Sequence, residues 1–358
     1  MKKLKVLIIG SAFAADLHSE GYDRLREKVE VVGICDRNSE RGEVLKERYG
    51  FHNAVIYDDY EVAIREADCD VVDICMPNHL HHPVALLAFE KDRHVICEKP
   101  LATTVEQAQE MVDAAEKANK KLYYAEDWLF APAFLKAINI VESGQLGRPL
   151  YIRTRECHNG SHSPFAQTIE YCGGGAMVHL GVHPVALVLA LKDGKWKNLV
   201  AMKSGGLENN IVHHQMEGED WAAALMSFED GTFATLEANY ITVGGMEDIL
   251  DIYCERGVIH VDIAFQGPIR CFSETGLDYT VEKANVTTGW STPAVDEKYN
   301  LGYVDEIAHF VECALNDEDA KVGLRGVDGL EALRVINYIY RSADEGRSIS
   351  ADEVAYDR

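Results

Sequence analysis

The chain has 358 residues, of which 47% are hydrophobic and 26% charged, and its formal net charge is −24. A chain of this length and composition is expected to form a globular protein with two domains. The strong negative charge argues against nucleic acid and anionic membranes as partners.

The termini and cysteines add little that is special. No apolar run reaches about 18 residues, so no transmembrane helix is expected. The basic start at residues 1–5 looks like that of a signal peptide, but Gly10 and the charges after Asp16 interrupt the apolar stretch, which we interpret as the first strand. Nine scattered cysteines without a Cys-x-x-Cys pair suit reduced thiols in the cytoplasm.

Strand and helix patterns alternate through the first 125 residues. Short apolar, β-branched runs predict strands at 4–9, 29–35, 54–57, 70–75, 94–97 and 121–125. Helical patterns lie between several of them, up to about residue 27 and at 59–67, 80–91 and 104–119. This alternation predicts an α/β fold with a doubly wound parallel sheet.

The regular alternation of strand and helix patterns ends after residue 126, so we predict one domain at 1–126 and a second at 127–358. A helix is expected at 131–143 and a strand at 149–156, and three glycines at 173–175 open a helix that runs to about 191. From 198 to 283 the pattern is strands joined by turns, including a hairpin of 221–228 with 232–239. Helices at about 301–315 and 326–344 complete a mostly antiparallel, open sheet with helices on one face.

The turn after the first strand carries a variant of the dinucleotide fingerprint G-x-G-x-x-G/A. Asp36 closes the second strand at about the distance where an acid binds the adenosine ribose, and Arg37 could sense a 2′-phosphate. NAD is therefore the expected cofactor, with NADP left open. An ordinary βαβ turn capped by an aspartate is the competing interpretation. The expected cofactor contacts at the turn are Gly10, Ala12, Phe13 and Ala14.

A polar loop, 76–83, follows the fourth strand and contains three histidines in four residues. One interpretation is a helix N-terminal loop capped by Asn78, and the other is a loop beneath the nicotinamide that uses Pro77, Asn78 and His81. The histidines also resemble a metal cluster, although adjacent loop histidines usually point apart.

Glu98-Lys99-Pro100 follows the fifth strand, at the edge where parallel sheets bind ligands. A partly desolvated lysine there loses its charge easily and can take part in proton transfer. A lone Lys-Pro is otherwise typical of a surface turn.

Taken together, these motifs are similar to those of the Gfo/Idh/MocA family, which includes glucose–fructose oxidoreductase and inositol dehydrogenase. The resemblance runs through nearly the whole chain. The strings that carry it are G-x-A-x-x-A-x-x-His18, Asp36, Pro77-Asn78-His79-Leu80-His81, Glu98-Lys99-Pro100-Leu101-Ala102, Ala125-Glu126-Asp127-Trp128, Gly173-Gly174-Gly175 with Gly181-Val182-His183, Gly302-Tyr303-x-x-Glu306 and Asp328-Gly329.

The resemblance implies a Rossmann domain, a C-terminal domain whose open sheet often makes dimer or tetramer contacts, and oxidation of a sugar or cyclitol hydroxyl by a nicotinamide cofactor. It implies that Lys99 binds the reacting hydroxyl and the nicotinamide ribose, and that His183 exchanges the hydroxyl proton. The cofactor site would also include Glu98 and Glu126, and the substrate site Trp128 and His158.

One position departs from the family's pattern, because His179 stands where such proteins commonly carry an aspartate four residues before the histidine. The spacing predicts that His179 and His183 share a helix face, with His179 as a catalytic-site residue that hydrogen bonds the substrate. No metal is expected, but a metal held by histidines, including His158 and His162, and a satisfied core histidine are left open.

The leading hypothesis is an NAD(P)-dependent dehydrogenase acting on a sugar, glycoside or cyclitol in the cytoplasm. Oxidation of a glycoside with the cofactor retained between turnovers competes with simple oxidation of a free sugar. The alternative from another class is a nucleotide-sensing or binding protein without turnover, against which the presence of both Lys99 and His183 speaks.

Overall fold

The protein is described here by a computed structural model, which covers residues 3–161, 163–264, 271–275, 288–291 and 295–354. The chain divides into two compact units. The first comprises Met1–Phe130 and Gly302–Leu333, and the second Ala131–Leu301 and Arg334–Arg358. The first unit thus includes a late segment that the sequence pattern places in the second domain, and the predicted boundary at 126/127 stays a prediction.

The first unit is built on a six-stranded parallel sheet in the order β3-β2-β1-β4-β5-β6. Its strands are β1 Leu4–Ile9, β2 Val29–Cys35, β3 Val55–Tyr57, β4 Val71–Ile74, β5 His94–Glu98 and β6 Leu122–Ala125. Its connecting helices are α1 Phe13–Arg24, α2 Ser39–Tyr49, α3 Tyr60–Glu66, α4 His81–Glu90 and α5 Val105–Lys117. Strands covered on both faces bury nearly every residue, which explains their continuous apolar runs. The predicted doubly wound sheet is confirmed.

The segment Gly302–Leu333 packs against the first helix, α1. Helix α11, Tyr303–Asn316, packs along α1, and Gly21 permits the close approach. A Cβ atom at Gly21 would lie 2.7 Å from the Cβ atom of Ile307. The first turns of α12, Gly326–Glu345, also belong to this unit, whereas the remainder of that helix belongs to the second unit.

The second unit is built on a seven-stranded mixed sheet in the order β12-β11-β7-β10-β9-β8-β15. Its strands are β7 Pro149–Cys157, β8 Trp196–Lys203, β9 Trp221–Phe228, β10 Phe233–Asn239, β11 Glu247–Cys254, β12 Gly257–Asp262 and β15 Ile349–Ser350, with a separate pair β13 Cys271–Ser273 and β14 Gly289–Ser291. Only β7 and β10 pair in parallel within the described sheet. The predicted mostly antiparallel sheet is confirmed, although parts of 198–283 lie outside the described residues.

Helices cover one face of this sheet. They are α6 Pro132–Glu142, α7 Ile169–Cys172, α8 Ala176–His179, α9 Val182–Leu191, α10 Glu297–Asn300, α12 and α13 Ala351–Val354. Of these, α8 and α9 pack on β7, β9 and β10. Along β9 and β10 burial alternates with a period of two, so the opposite face is partly exposed.

No single helix among the described residues is both long and apolar enough to cross a membrane. Only the pair Ile169–His179 and Val182–Leu191, bent by 52°, reaches the required length and hydropathy when counted together.

Candidate active site

The turn between β1 and α1 has the geometry of a phosphate-binding turn. Gly10 has φ +105°, and a Cβ atom there would lie 2.2 Å from the carbonyl oxygen of Cys75, so only glycine fits. Ala12 is the N-cap of α1, and no side chain among the described residues caps that helix end. Its first backbone N–H groups are therefore suited to an anionic ligand. Phe13 is 57% exposed beside them.

Asp36 follows β2 and reaches back to this turn. Its Oδ2 atom accepts hydrogen bonds from the backbone N–H of Ser11 at 3.1 Å and from the Ser11 hydroxyl at 2.7 Å, while Oδ1 accepts the N–H of Asn38 at 2.8 Å. These bonds hold a half-buried carboxylate at the edge of the turn, where a ribose diol could replace the Ser11 hydroxyl as donor. Arg37 is exposed.

The loop after β4 does not use Asn78 as a helix cap. Asn78 is buried and opens a single 3₁₀ turn, Asn78–Leu80, and the N-cap of α4 is Leu80, for which no side chain of the described chain supplies a capping bond. The interpretation of Asn78 as the N-cap is therefore wrong, because the 3₁₀ turn lies before α4 and puts Leu80 at the N-cap position. Pro77 precedes this turn and is half-buried.

The three histidines of this loop have different surroundings. The His81 ring is fully buried, with Nδ1 2.9 Å from the carbonyl oxygen of Pro100 and Nε2 2.8 Å from that of Met76. Burial lowers the pKa of His81, although the hydrogen bonds to the two carbonyl oxygens oppose the shift. His82 instead meets Glu110 at the surface. His81 thus joins the loop to the segment after β5.

Glu98 and Lys99 stand at the carboxyl end of β5. Glu98 is 6% exposed, and its Oε2 atom accepts the backbone N–H of Lys99 at 3.0 Å. Its Oε1 atom lies 3.1 Å from Nε2 of His18. Lys99 is half-buried and the Lys99–Pro100 peptide bond is cis. The competing interpretation of a surface turn does not describe this segment, because Glu98 and Pro100 on either side of Lys99 are buried.

Two buried glutamates lie in the same unit. Glu126 follows β6, and burial raises its pKa to about 8, although the charge of Lys99 opposes the shift. Glu306 on α11 is also fully buried, and burial together with the charge of Asp127 raises its pKa well above its ordinary value. Both carboxyl groups are therefore harder to ionise than an exposed glutamate. Trp128 lies in the 3₁₀ turn Asp127–Phe130 and is 1% exposed.

In the second unit, the turn that contains the three glycines at 173–175 packs against another buried acid, Glu219. A Cβ atom at Gly175 would lie 2.1 Å from the carbonyl oxygen of Glu219. The Glu219 side chain accepts hydrogen bonds from the backbone N–H of Met177 at 2.8 Å and from the hydroxyl of Tyr340 at 2.9 Å. The glycine therefore allows backbone to pack on backbone, which fixes the start of α8.

The predicted single helix from 173 to 191 is wrong. The chain forms α8, which ends at His179, and α9, which begins at Val182, with Leu180 and Gly181 between them. A Cβ atom at Gly181 would lie 2.3 Å from the sulfur of Met177, so this break depends on close packing. His179 and His183 consequently do not share the face of one continuous helix.

His183 lies in the first turn of α9 and is 3% exposed. Its Nε2 atom is 3.7 Å from Oε2 of Glu156, a buried residue of β7 that the sequence analysis did not single out. A carboxylate beside an imidazole stabilises the protonated ring, which suits a histidine that takes up a proton.

His179 is held by Tyr240, a second residue that the sequence analysis missed. The Nδ1 atom of His179 lies 2.8 Å from the hydroxyl of Tyr240, and burial raises the pKa of that phenol well above its ordinary value. A phenol that keeps its proton can donate to Nδ1, which would leave the ring proton on Nε2. The His158 ring, 2% exposed, lies 5.2 Å from the Tyr240 ring between centroids. His162 lies outside the described residues.

Among the described residues of the first unit, His18, Asp73 and Cys75 bring potential metal-ligand atoms within 4.8 Å of one another. The same atoms contact each other directly, with His18 Nδ1 3.0 Å from Asp73 Oδ1 and 3.5 Å from the Cys75 sulfur. Within this group, direct hydrogen bonding already satisfies the donors and acceptors.

Comparison with known proteins agrees with this architecture. Residues 4–126 match the family model of an oxidoreductase family with an NAD-binding Rossmann fold, and residues 134–260 match the GFO/IDH/MocA C-terminal domain. The chain belongs to the Gfo/Idh/MocA family of oxidoreductases. Its N-terminal unit is an NAD-binding Rossmann fold.

Two relatives similar to this chain are named as dehydrogenases of a glucoside and of an inositol. The D-glucoside 3-dehydrogenase of Escherichia coli is 31% identical over 79% of this chain and 76% of its own. The myo-inositol 2-dehydrogenase of Thermotoga maritima is 22% identical over 98% and 99%. The crystal structure of GenD2 from gentamicin A biosynthesis, a complex with NAD, has a TM-score of 0.88 at 22% identity and covers 98% of this chain and 97% of its own, which supports the fold.

Proposed function

We propose that this family member is an NAD-dependent dehydrogenase that transfers hydride between the nicotinamide and a hydroxyl-bearing carbon of a sugar, glycoside or cyclitol. The observation that carries the proposal is the position of Lys99, directly after the buried Glu98 at the carboxyl end of β5 in an NAD-binding Rossmann unit. That end of a parallel sheet is where such folds bind ligands.

The cofactor is assigned to the turn and the acid that frame the start of α1. The uncapped N–H groups after Gly10 suit the pyrophosphate, and Asp36 suits the adenosine ribose diol. A carboxylate at this position repels a 2′-phosphate, so NAD is preferred over NADP, with the exposed Arg37 as the residue that would permit some NADP use.

NAD⁺, when bound, supplies the hydride acceptor. The Lys99 ammonium binds the reacting hydroxyl and stabilises the negative charge that develops on its oxygen as the C–H bond breaks. His183 takes the hydroxyl proton, so that the alcohol loses one hydride and one proton and becomes a ketone. Glu156 beside His183 stabilises the imidazolium that results.

The proposed substrate class is supported by the family and by the polar groups of the second unit. The named relatives oxidise ring hydroxyls of a glucoside and of inositol. We assign substrate binding to His158, His179 and Trp128, with His179 hydrogen bonding a substrate oxygen and no metal required. A ring proton on Nε2 would make His179 a donor, where a carboxylate could only accept.

We further propose that the protein works in the cytoplasm as a homo-oligomer. All nine cysteines are free thiols and most are buried, which suits a reducing compartment. The exposed face of the seven-stranded sheet presents apolar side chains, among them Val200, Met202, Leu225 and Phe233, which are 43%, 71%, 44% and 50% exposed. Such a face suits contact with a second copy of the chain.

The test is a dehydrogenase screen of the purified protein with inositols, aldoses and glucosides, using NAD and NADP in turn. The expected result is formation of NADH with at least one cyclic polyol and weaker activity with NADP. Binding of NAD without turnover of any substrate would contradict the proposal and favour a nucleotide-binding protein. Cofactor released after denaturation of the purified protein would identify retention between turnovers.

A further inference from the structure

A buried chain of charged side chains leads from the middle of the parallel sheet to Lys99. Asp73 on β4, His18 on α1 and Glu98 at the end of β5 are 0%, 0% and 6% exposed. His18 Nδ1 lies 3.0 Å from both carboxylate oxygens of Asp73, and Nε2 lies 3.1 Å from Oε1 of Glu98. The other Glu98 oxygen accepts the backbone N–H of Lys99 at 3.0 Å. The chain therefore connects three elements of the sheet unit to one backbone position.

The His18 ring is charged in this setting. Burial alone would lower the pKa of His18, but the charge of Asp73 and its hydrogen bond raise it well above its ordinary value. Each ring nitrogen then carries a proton, so the ring donates to a carboxylate on either side. Burial similarly opposes ionisation of Glu98, yet the hydrogen bond from His18 lowers its pKa. The result is a carboxylate, a cation and a carboxylate in line, within a region that excludes water.

Burying these charged groups costs free energy, so their role is to be sought in geometry rather than in stability. Buried ion pairs seldom add net stability compared with apolar side chains of similar size, because desolvation consumes the attraction between the charges. They do fix geometry, since each hydrogen bond restricts its partner. His18 is fully buried, so it acts through Glu98 and does not touch a ligand itself.

We propose that His18 is a positioning residue, which holds the Glu98 carboxylate so that it grips the Lys99 backbone N–H and fixes the Lys99 segment for catalysis. Asp73 holds the His18 ring from the opposite side, and Tyr22 donates a hydrogen bond to Asp73 at 2.8 Å. The inference rests on the proposed function for the catalytic part, because it gives Lys99 its role in hydride transfer.

The test compares His18→Gln with Tyr22→Phe. Both variants remove a polar group from the same buried network, but only His18 contacts Glu98. Hydrogen exchange of the backbone amides in residues 95–102, read by mass spectrometry, reports on the segment directly. His18→Gln should speed exchange there and leave the segment 10–16 unchanged, while Tyr22→Phe should change neither.

Steady-state kinetics gives the second readout. A displacement of about 1 Å in a catalytic group costs about 10²-fold in rate, so His18→Gln should lower kcat by about that factor while the Kd for NAD stays close to wild type. Tyr22→Phe should keep kcat near the wild-type value. Should His18→Gln fail to fold, Asp73→Asn, which removes the charge that keeps the ring protonated, takes its place with the same expected outcome.

The outcomes separate the two proposals. Unchanged exchange at 95–102 in His18→Gln overturns the positioning role whatever the activity. Faster exchange with unchanged kcat would show that His18 does position the Lys99 segment, but it would contradict the catalytic role of Lys99. Full activity of Lys99→Ala would contradict that catalytic role as well. Faster exchange with a lower kcat and an unaltered Kd for NAD supports both.

Discussion

At the scale of single residues, the fold sets neighbouring carboxyl groups to opposite protonation states. Glu98 is buried, and its pKa is lowered because His18 donates a hydrogen bond to it. Glu126, which follows the adjacent strand, is also buried, but its pKa is raised to about 8. The carboxyl groups at the ends of β5 and β6 therefore have pKa values shifted in opposite directions. Pairs of groups whose environments separate their pKa values are typical of acid–base sites.

The raised pKa of Glu126 predicts a pH-dependent stability. Between about pH 5 and pH 8 the folded protein keeps a proton on Glu126 that the unfolded chain has released, so stability falls as pH rises. Glu126→Gln carries no such proton and should lose less stability over this range. The apparent unfolding temperature of the apoprotein measures the difference, with the exposed Glu43→Gln as control. Parallel curves for wild type and Glu126→Gln would contradict the assignment.

Asp36 predicts a specific loss of cofactor affinity. Hydrogen bonds to a charged group are worth about 1.5–3 kcal/mol, so Asp36→Ala should weaken NAD binding by about 10- to 100-fold and reduce the preference over NADP. Calorimetric titration of both cofactors measures this. Asp58→Ala is a matched control, because Asp58 is exposed directly after β3. Unchanged NAD affinity in Asp36→Ala would show that the ribose lies elsewhere.

At the scale of secondary-structure elements, the sequence pattern predicted those strands and helices whose bounds depend on local sequence. The strands of the Rossmann sheet lie within one or two residues of their predicted bounds, because buried parallel strands are continuous apolar runs. The helix after the triple glycine was predicted in one piece and is broken at Leu180 and Gly181. The break depends on the Met177 side chain against Gly181, a packing detail that periodicity does not encode.

Side-chain contacts between residues far apart in the chain could not be predicted from the sequence either. Glu156 meets His183 across 27 positions of chain, and Tyr240 meets His179 across 61. Asp73 likewise meets His18 across 55. Each pair joins a residue on a helix to a residue in or just after a strand, and the packing of that helix on the sheet creates the contact, so no spacing rule along the sequence could indicate it. The residues that motifs did single out are those whose chemistry depends on a strand end or a helix start.

The break between α8 and α9 bears on the role of His179. Tyr240 orients its ring independently of His183, so replacing it should affect substrate recognition more than proton transfer. His179→Asp exchanges a donor for an acceptor and should change the ranking of kcat/KM among inositols, aldoses and glucosides, with the Kd for NAD unaltered. The same substrate panel measures both. An unchanged ranking would favour a histidine that only packs in the core.

At the scale of the whole molecule, the division into units was only partly predictable. The composition changes little at residue 302, and the contact boundary at 333/334 falls inside α12. Gly302 does break the chain between α10 and α11, but such a break also separates elements within one unit, and the point inside α12 carries neither a loop nor a breaker. The family resemblance predicted the two folds, whereas the assignment of Gly302–Leu333 to the first unit required its contacts with α1.

The exposed sheet face predicts self-association. Leu225 lies at the middle of that face, paired with Val200 on one side and Thr235 on the other. A buried charge without a partner is unfavourable, so Leu225→Glu should shift the oligomer toward monomer in light scattering after size exclusion. Val243→Glu is the control, because Val243 is 80% exposed and lies outside the strands. An unaltered molar mass for Leu225→Glu would remove this face from the interface.

The central claim is that Lys99 and His183 carry out hydroxyl oxidation. The most direct test measures kcat and the Kd for NAD in Lys99→Ala and His183→Ala with the best substrate of the screen, and uses Lys117→Ala, an exposed lysine of α5, as control. Loss of a general acid or base costs about 10²- to 10⁴-fold, so the account predicts a fall of that size in both variants, with NAD still bound and the control fully active. Near-normal turnover in either variant would contradict it.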